Sequence, residues 1–239
     1  MKKIDSVTNF RVLQWSKLKD KDYRKSKKIF IVEGYHTVLE AYRTNCLKEV
    51  ITTEDRSEFN VPTYYVRDDV MKKLSSLATP HKIIGICEQR QSQDYGNNLL
   101  VVDKINHPGN LGTIIRSAVA FNVDTIIINE SVDVYNQKVI QATQGMIFHI
   151  NIIRSSLDNI IDELKNKDYQ IIGTDVREGI NLDEFKAKEK HALLVGNEGN
   201  GLDDDILNKC DVKINIEMNN KCESLNVGVA TGIILHHLR

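Results

Sequence analysis

Cysteine is scarce in these 239 residues: four occur, at Cys46, Cys87, Cys210 and Cys222. They lie far apart with no Cys-x-x-Cys pair, so neither a zinc site nor a disulfide framework is indicated, and a reducing compartment fits. The seven histidines show no ligand spacing, and His236-His237 reads as a solvated terminus, so no metal is expected. No stretch reaches the ~18 apolar residues of a membrane span, and Met1-Lys2-Lys3 is not followed by the apolar core of a secretion signal. The expectation is a cytoplasmic protein with no membrane partner. Net charge is nearly absent as well, at −1, which at first argues against a polyanionic partner.

That balance hides an asymmetry. Residues 1–96 hold 18 Lys+Arg against 13 Asp+Glu, whereas residues 97–239 hold 14 against 20. A basic first half points to polyanion contact there. With 41% hydrophobic and 27% charged residues, the chain has the composition of an ordinary globular protein of two modest domains or one large one.

Apolar spacing around Val12, Leu13 and Leu18 predicts a helix over 9–28 that carries a dense basic run, Lys17 to Lys28. Such a run is as readily a solvated face as a nucleic-acid contact. Strands are predicted at 29–32, 49–52, 64–66 and 82–87, with helices at 34–43 and 69–77, giving a small α/β sandwich. Gln91 to Asn98 is polar and reads as a linker. Beyond it, apolar runs at 99–102, 126–128, 150–153, 170–173, 192–195 and 212–216 alternate with helical stretches at 112–121, 137–147, 157–166 and 203–209. Short β-branched runs separated by helices predict a parallel sheet covered on both faces.

A dinucleotide-binding fold would place Gly-x-Gly-x-x-Gly after its first strand, and this chain does not. Its first strand leads to Asn110-Leu111-Gly112-Thr113-Ile114-Ile115-Arg116, where glycine permits a tight entry to the helix and Arg116 lies one turn along. The fifth leads to Leu194-Val195-Gly196-Asn197-Glu198-Gly199-Asn200-Gly201. Three glycines there allow close backbone approach, so main-chain groups can read a ligand edge. The sixth leads through Ile216-Glu217-Met218 to Glu223-Ser224-Leu225-Asn226-Val227-Gly228-Val229-Ala230. Ser224 or Asn226 would sit at the mouth of an apolar terminal helix, beside free backbone N–H groups. Leu225, Val229, Ile233 and Leu238 recur at helical spacing, with Gly228, Ala230 and Gly232 between them, which suits close packing.

In this order the three stretches resemble the motifs of the SpoU (TrmH) family of S-adenosylmethionine-dependent RNA 2′-O-ribose methyltransferases, the SPOUT class. Phe30-Ile31-Val32-Glu33-Gly34 with its following helix is similar to the L30e-like substrate-binding domain that precedes the methyltransferase domain in many of them. The resemblance implies an α/β fold in which a small L30e-like sandwich, 1–90, and a linker, 91–98, precede a knotted (trefoil) parallel-sheet domain, 99–239. It implies S-adenosylmethionine on Leu194, Gly196, Asn197, Gly201, Ile216, Met218 and Leu225, with catalysis by Asn110, Arg116, Glu198, Ser224 and Asn226. RNA would lie on Lys19, Lys21, Arg24, Lys25, Lys27 and Lys28, and a homodimer would form through the C-terminal domain.

The reaction so implied is attack of a ribose 2′-hydroxyl on a sulfonium methyl. Arg116 either accepts the proton or, our preference since guanidinium stays protonated, orients a phosphate and stabilises the alkoxide. Ser224 and Asn226 would position the hydroxyl, and Glu198 would fix the arginine. Ribosomal RNA is the expected substrate; the alternatives are transfer RNA, or an RNA-binding or ribosome-assembly factor without turnover. Three departures from the family pattern, Asn106-His107, Glu217 for proline and Gly228 for serine, bear on cofactor affinity more than on catalysis.

Overall fold

Two sheets organise the chain. The computed structural model describes residues 2–55, 58–90 and 94–239; of the expected linker, Gln91, Ser92 and Gln93 lie outside the described residues. Contacts divide the chain into one unit of Met1–Arg90 with Asp133–His149, and a second of Gln91–Val132 with Ile150–Arg239.

The first unit runs β1 (Lys2–Ile4), α1 (Phe10–Ser16), α2 (Lys21–Lys27), β2 (Ile29–Glu33), α3 (Tyr35–Arg43), β3 (Leu47–Thr52), β4 (Thr63–Val66), α4 (Asp68–Leu74) and β5 (Ile83–Glu88). Its five strands lie in the order β1-β4-β3-β5-β2. β5 is antiparallel to both neighbours, while β4 runs parallel to β1 and β3. The single helix expected over 9–28 is broken in two. Asn9 caps α1 by accepting from the Arg11 N–H at 2.9 Å, and Asp20 restarts the chain as α2 by accepting from the Tyr23 N–H at 2.8 Å. A short side-chain acceptor outcompetes helix continuation at such a position. Val12, Trp15 and Leu18 close the core over Ile31, Ile51 and Ile84.

Asp133–His149 belongs to this unit too, with α6 (Gln137–Thr143) against β2. Phe30 meets Phe148 and Tyr135 at ring-centroid distances of 5.9 and 4.7 Å. Arg24 pairs with Asp133 at 2.5 Å, both side chains buried.

The second unit contains β6 (Asn98–Asp103), α5 (Pro108–Ala120), β7 (Thr125–Asn129), β8 (Asn151–Arg154), α7 (Leu157–Asn166), β9 (Gln170–Thr174), β10 (Ile180–Asn181), β11 (His191–Val195), α8 (Asp204–Leu207), β12 (Val212–Asn215) and α9 (Val227–Leu238). Its seven strands form one sheet in the order β10-β12-β9-β11-β6-β7-β8, every neighbouring pair parallel. β7 and β11 are buried along their whole length, as unbroken apolar runs in a doubly covered sheet must be.

Two local differences from the sequence reading matter for the site. α5 begins at Pro108, whose fixed φ and missing N–H suit a first helical position. Asn110 therefore sits in its first turn, and Gly112 is buried within the helix instead of shaping a loop. In α9 the inward residues are Gly228, Thr231, Ile234 and Leu235, while Val229 and Ile233 of the predicted stripe are 51% and 41% exposed. Close approach to α5 explains the rotation. A Cβ on Gly228 would lie 3.1 Å from Thr113 Cγ2, and one on Gly232 3.3 Å from Ser117 Oγ. The small residues thus seat the helix and turn the bulky ones outward.

Candidate active site

β12, β9 and β11 are neighbours in a parallel sheet, so their carboxyl ends open on one edge, the usual ligand position in open α/β sheets. A cavity of about 330 Å³ lies there, lined by Thr174 to Arg177 after β9, by Val195 to Leu202 after β11, and by residues from Ile214 to Ile234 after β12. Six of the seven expected cofactor residues line it: Gly196, Asn197, Gly201, Ile216, Met218 and Leu225. Leu194 does not. It is fully buried in the core with Leu99, Ile171 and Ala192, because alternation along β11 turns Leu194 from the face to which Val195 points. Glu198 and Ser224 also border the cavity.

The loop after β11 is a tight hairpin. Asn197 and Gly201 exchange both backbone hydrogen bonds at 3.0 Å, and Asn197 Oδ1 accepts from the Gly199 N–H at 2.8 Å. A Cβ on Gly196 would lie 2.2 Å from the carbonyl carbon and oxygen of Gly201. Glycine is required there by the returning backbone. Only Gly201 uses the left-handed region, at φ +71°.

A polar relay crosses the motifs. Asn226 caps α9, its Oδ1 accepting from the N–H groups of Gly228 and Val229 at 3.0 and 3.3 Å. Its Nδ2 donates to Asn110 Oδ1 at 3.0 Å, and Asn110 Nδ2 donates to Glu198 Oε1 at 3.0 Å. The His107 and Asn106 N–H groups donate to the same carboxylate at 3.1 and 3.4 Å. Burial by itself would raise the Glu198 pKa, but these donors outweigh it and hold the group below its ordinary value. The residues that diverge from the family pattern at 106–107 thus contribute through their backbone.

Arg116 is exposed and outside the cavity lining. The expectation that Glu198 fixes it is not met. The carboxylate is engaged by Asn110, His107 and Asn106, because Arg116 lies nearly two turns beyond Asn110 and on another side of α5. Ser224 is exposed at the cavity wall. Glu217 is also exposed and turned outward: its Oε2 accepts from Asn181 Nδ2 at 2.7 Å, so its charge is kept off the cavity.

Sequence reasoning missed the Thr174 to Arg177 wall. Asp175 is buried; burial would raise its pKa, but the Arg177 N–H and guanidinium bring it below the ordinary value. Arg177 also binds Asp204 at 2.7 Å. No residue type there marks a site. The signal is that β9 sits between β11 and β12, which only the strand order reveals.

Of the six residues expected to hold RNA, Lys21, Lys25, Lys27 and Lys28 are exposed. Lys19 spends its ammonium on the carbonyls of Lys73 and Ser75, both at 2.9 Å. Arg24 is only 4% exposed; it binds the Leu18 and Lys19 carbonyls and Asp133, so its role is in packing and not at the surface. Among the described residues no His, Cys, Asp or Glu cluster could hold a metal ion, and no helix is long and apolar enough to cross a membrane.

The cavity fits S-adenosylmethionine: hairpin backbone groups of 196–201 for an adenine edge, aliphatic walls from Val195, Ile216 and Leu225, and a glycine where any side chain would fill the cradle. Fold and site together define the SPOUT class of S-adenosylmethionine-dependent RNA methyltransferases. The model of the SpoU rRNA Methylase family matches residues 97–236, and that of the MRM3-like substrate binding domain matches 9–85. The chain is 33% identical, over 100% of both sequences, to the 23S rRNA (guanosine(2553)-2′-O)-methyltransferase RlmP of Bacillus subtilis. AdoMet-bound rRNA methyltransferase from Sinorhizobium meliloti superposes with a TM-score of 0.89 at 26% identity, over 99% of this chain and 96% of that one. The A. aeolicus TrmH/SpoU tRNA modifying enzyme matches over 59% of this chain and 73% of its own, with a TM-score of 0.54 at 30% identity. The chain belongs to the SpoU rRNA Methylase family and is an S-adenosylmethionine-dependent RNA 2′-O-methyltransferase.

Proposed function

We propose that this enzyme methylates a ribose 2′-hydroxyl of ribosomal RNA in the cytoplasm, the 1–90 domain holding the RNA and the 99–239 domain, joined to it by the 91–98 linker, performing the transfer. The carrying observation is the Glu198–Asn110–Asn226 relay, which ends at Asn226, two residues from cavity-lining Ser224. The full-length likeness to an enzyme named for 23S rRNA, against a partial likeness to a tRNA enzyme, favours ribosomal RNA.

Bound S-adenosylmethionine supplies an electrophilic methyl group on a sulfonium. The protein's part is to place the hydroxyl and steady the charge it develops. Ser224 and Asn226 hold the ribose, and the Glu198–Asn110 bond fixes Asn226 by occupying its partner. Arg116, without a hydrogen bond or ion pair among the described residues, binds the adjoining phosphate through its guanidinium and stabilises the alkoxide. Lys21, Lys25, Lys27 and Lys28 supply salt-sensitive affinity for the RNA backbone.

Val229 and Ile233, exposed on α9, support a homodimer formed through the C-terminal domain; a monomeric mass by light scattering would count against it. Substrate class is tested by incubating the protein with labelled S-adenosylmethionine and either ribosomal or transfer RNA from cells lacking it. Incorporation into ribosomal RNA alone is expected, and label in transfer RNA alone would overturn the assignment.

A further inference from the structure

The first unit holds a second cavity, of about 280 Å³, that the proposed chemistry does not use. Its lining is aromatic and cationic. Trp15 is buried, and Tyr23 and Ile29 are half-buried against the same core. Arg11, Lys27 and Lys48 bring positive charge to it. The Arg11 guanidinium lies 5.9 Å from the Trp15 ring centroid, and Lys27 Nζ 5.9 Å from that of Tyr23. Lys48 also bridges Glu88 at the surface, which leaves Lys27 as the main cation for a ligand. Aromatic faces beside cations are the general means of holding a single nucleotide, the base stacked and its phosphate paired.

One wall group adds selectivity. Glu49 Oε1 accepts from Arg11 Nη1 at 2.7 Å, and Oε2 accepts from Trp15 Nε1 at 3.0 Å. Each bond orients one oxygen and leaves it a further lone pair. Two adjacent, fixed acceptors match a ligand with two adjacent N–H donors. Among the RNA bases only guanine offers that, through N1–H and the 2-amino group. Adenine and cytosine set a donor beside an acceptor, and uracil has one donor between two acceptors. The volume lies just below the roughly 300–1,000 Å³ of small-molecule sites, which suits one base and not a stacked pair.

We propose that this cavity takes one unpaired guanine nucleotide of the RNA substrate, with its base edge on Glu49, its ring against Tyr23 and its phosphate on Lys27. The inference rests on the reading of the N-terminal domain as the RNA-holding part, and adds base selection to it.

Trp15 is the only tryptophan of the chain, so indole emission reports occupancy. Full-length protein is titrated with GMP, AMP, CMP and UMP, then with unstructured RNA pentamers with and without guanine. A saturable change with GMP at a midpoint roughly tenfold below the other nucleotides is expected, as is the same order among the pentamers. Glu49→Gln removes one acceptor and weakens GMP roughly tenfold while sparing AMP. Because that change also touches the Trp15 bond, Tyr23→Leu serves as a second variant; it leaves that bond intact and weakens all four nucleotides. Circular dichroism and S-adenosylmethionine binding verify that both variants fold. Salt-sensitive RNA binding with emission indifferent to base identity and to Glu49→Gln would overturn the guanine site and leave the RNA-holding reading standing. Absence of any RNA binding would overturn both.

Discussion

Three glycines of one hairpin should respond differently to the same added methyl group. At Gly196 an alanine Cβ meets Gly201 C and O at 2.2 Å and Leu202 N at 2.4 Å. All three are backbone atoms, so the returning limb must retreat by more than about 1 Å to restore ordinary contact. The paired Asn197–Gly201 bonds, both 3.0 Å, cannot survive that shift. Overpacking costs about 1–3 kcal/mol and each lost bond about 1 kcal/mol. If cofactor binding requires the native hairpin, the sum of about 3–5 kcal/mol weakens affinity by roughly a hundredfold to a few thousandfold. At Gly199 the nearest atom to an added Cβ is Asn197 Oδ1 at 3.4 Å, an ordinary contact, and affinity should be unchanged. At Gly201 the Cβ meets nothing within 4 Å, but φ is +71°, so only backbone strain of about 1–2 kcal/mol applies and the loss stays within roughly five- to thirtyfold. Calorimetric titration with S-adenosylmethionine reads all three, with circular dichroism checking the fold. Wild-type affinity in Gly196→Ala, or equal losses in Gly196→Ala and Gly199→Ala, would refute the reasoning.

Arg116→Ala should lower the methylation rate by roughly 10²–10³-fold, the usual cost of losing a group that stabilises developing charge, with S-adenosylmethionine affinity unchanged by calorimetry. Reversing the charge of Lys25, Lys27 and Lys28 should weaken RNA binding and flatten its salt dependence without touching cofactor affinity. Arg24→Ala should instead cost up to about 3–5 kcal/mol of stability in denaturant titration, because it removes the guanidinium that pairs with buried Asp133. Glu198 is held below its ordinary pKa of 4.5, so its stabilisation is fully present above that value and lost as pH falls through the lower folded value. The melting-temperature gap between wild type and Glu198→Gln should therefore be level above pH 5 and narrow below pH 4; a gap that widened on acidification would contradict the sign.

The alternation of β-branched runs with helices made the parallel sheet legible, since buried parallel strands carry no polar face. The cavity residues were legible where spacing constrains backbone, as at Gly196 and Gly201. What escaped depended on tertiary arrangement. Thr174 to Arg177 reach the cavity because β9 lies between β11 and β12, an order no local pattern encodes. Arg24 stands in a run of lysines, and its bonds to the Leu18 and Lys19 carbonyls and to buried Asp133 separate it from them. α6 reads like any crossover helix, yet packs with the first unit. Val229 and Ile233 had the helical spacing of a core stripe, but glycine packing on α5 overrode it.

This chain transfers a methyl group to a ribose 2′-hydroxyl. The direct measurement is alkaline hydrolysis of ribosomal RNA after incubation with the protein and methyl-labelled S-adenosylmethionine, since a 2′-O-methyl ribose leaves the adjoining phosphodiester uncleaved. Label is expected in an alkali-resistant dinucleotide, forming roughly 10²–10³-fold more slowly with Arg116→Ala. Label recovered only in mononucleotides would place the methyl on a base and contradict transfer to the ribose.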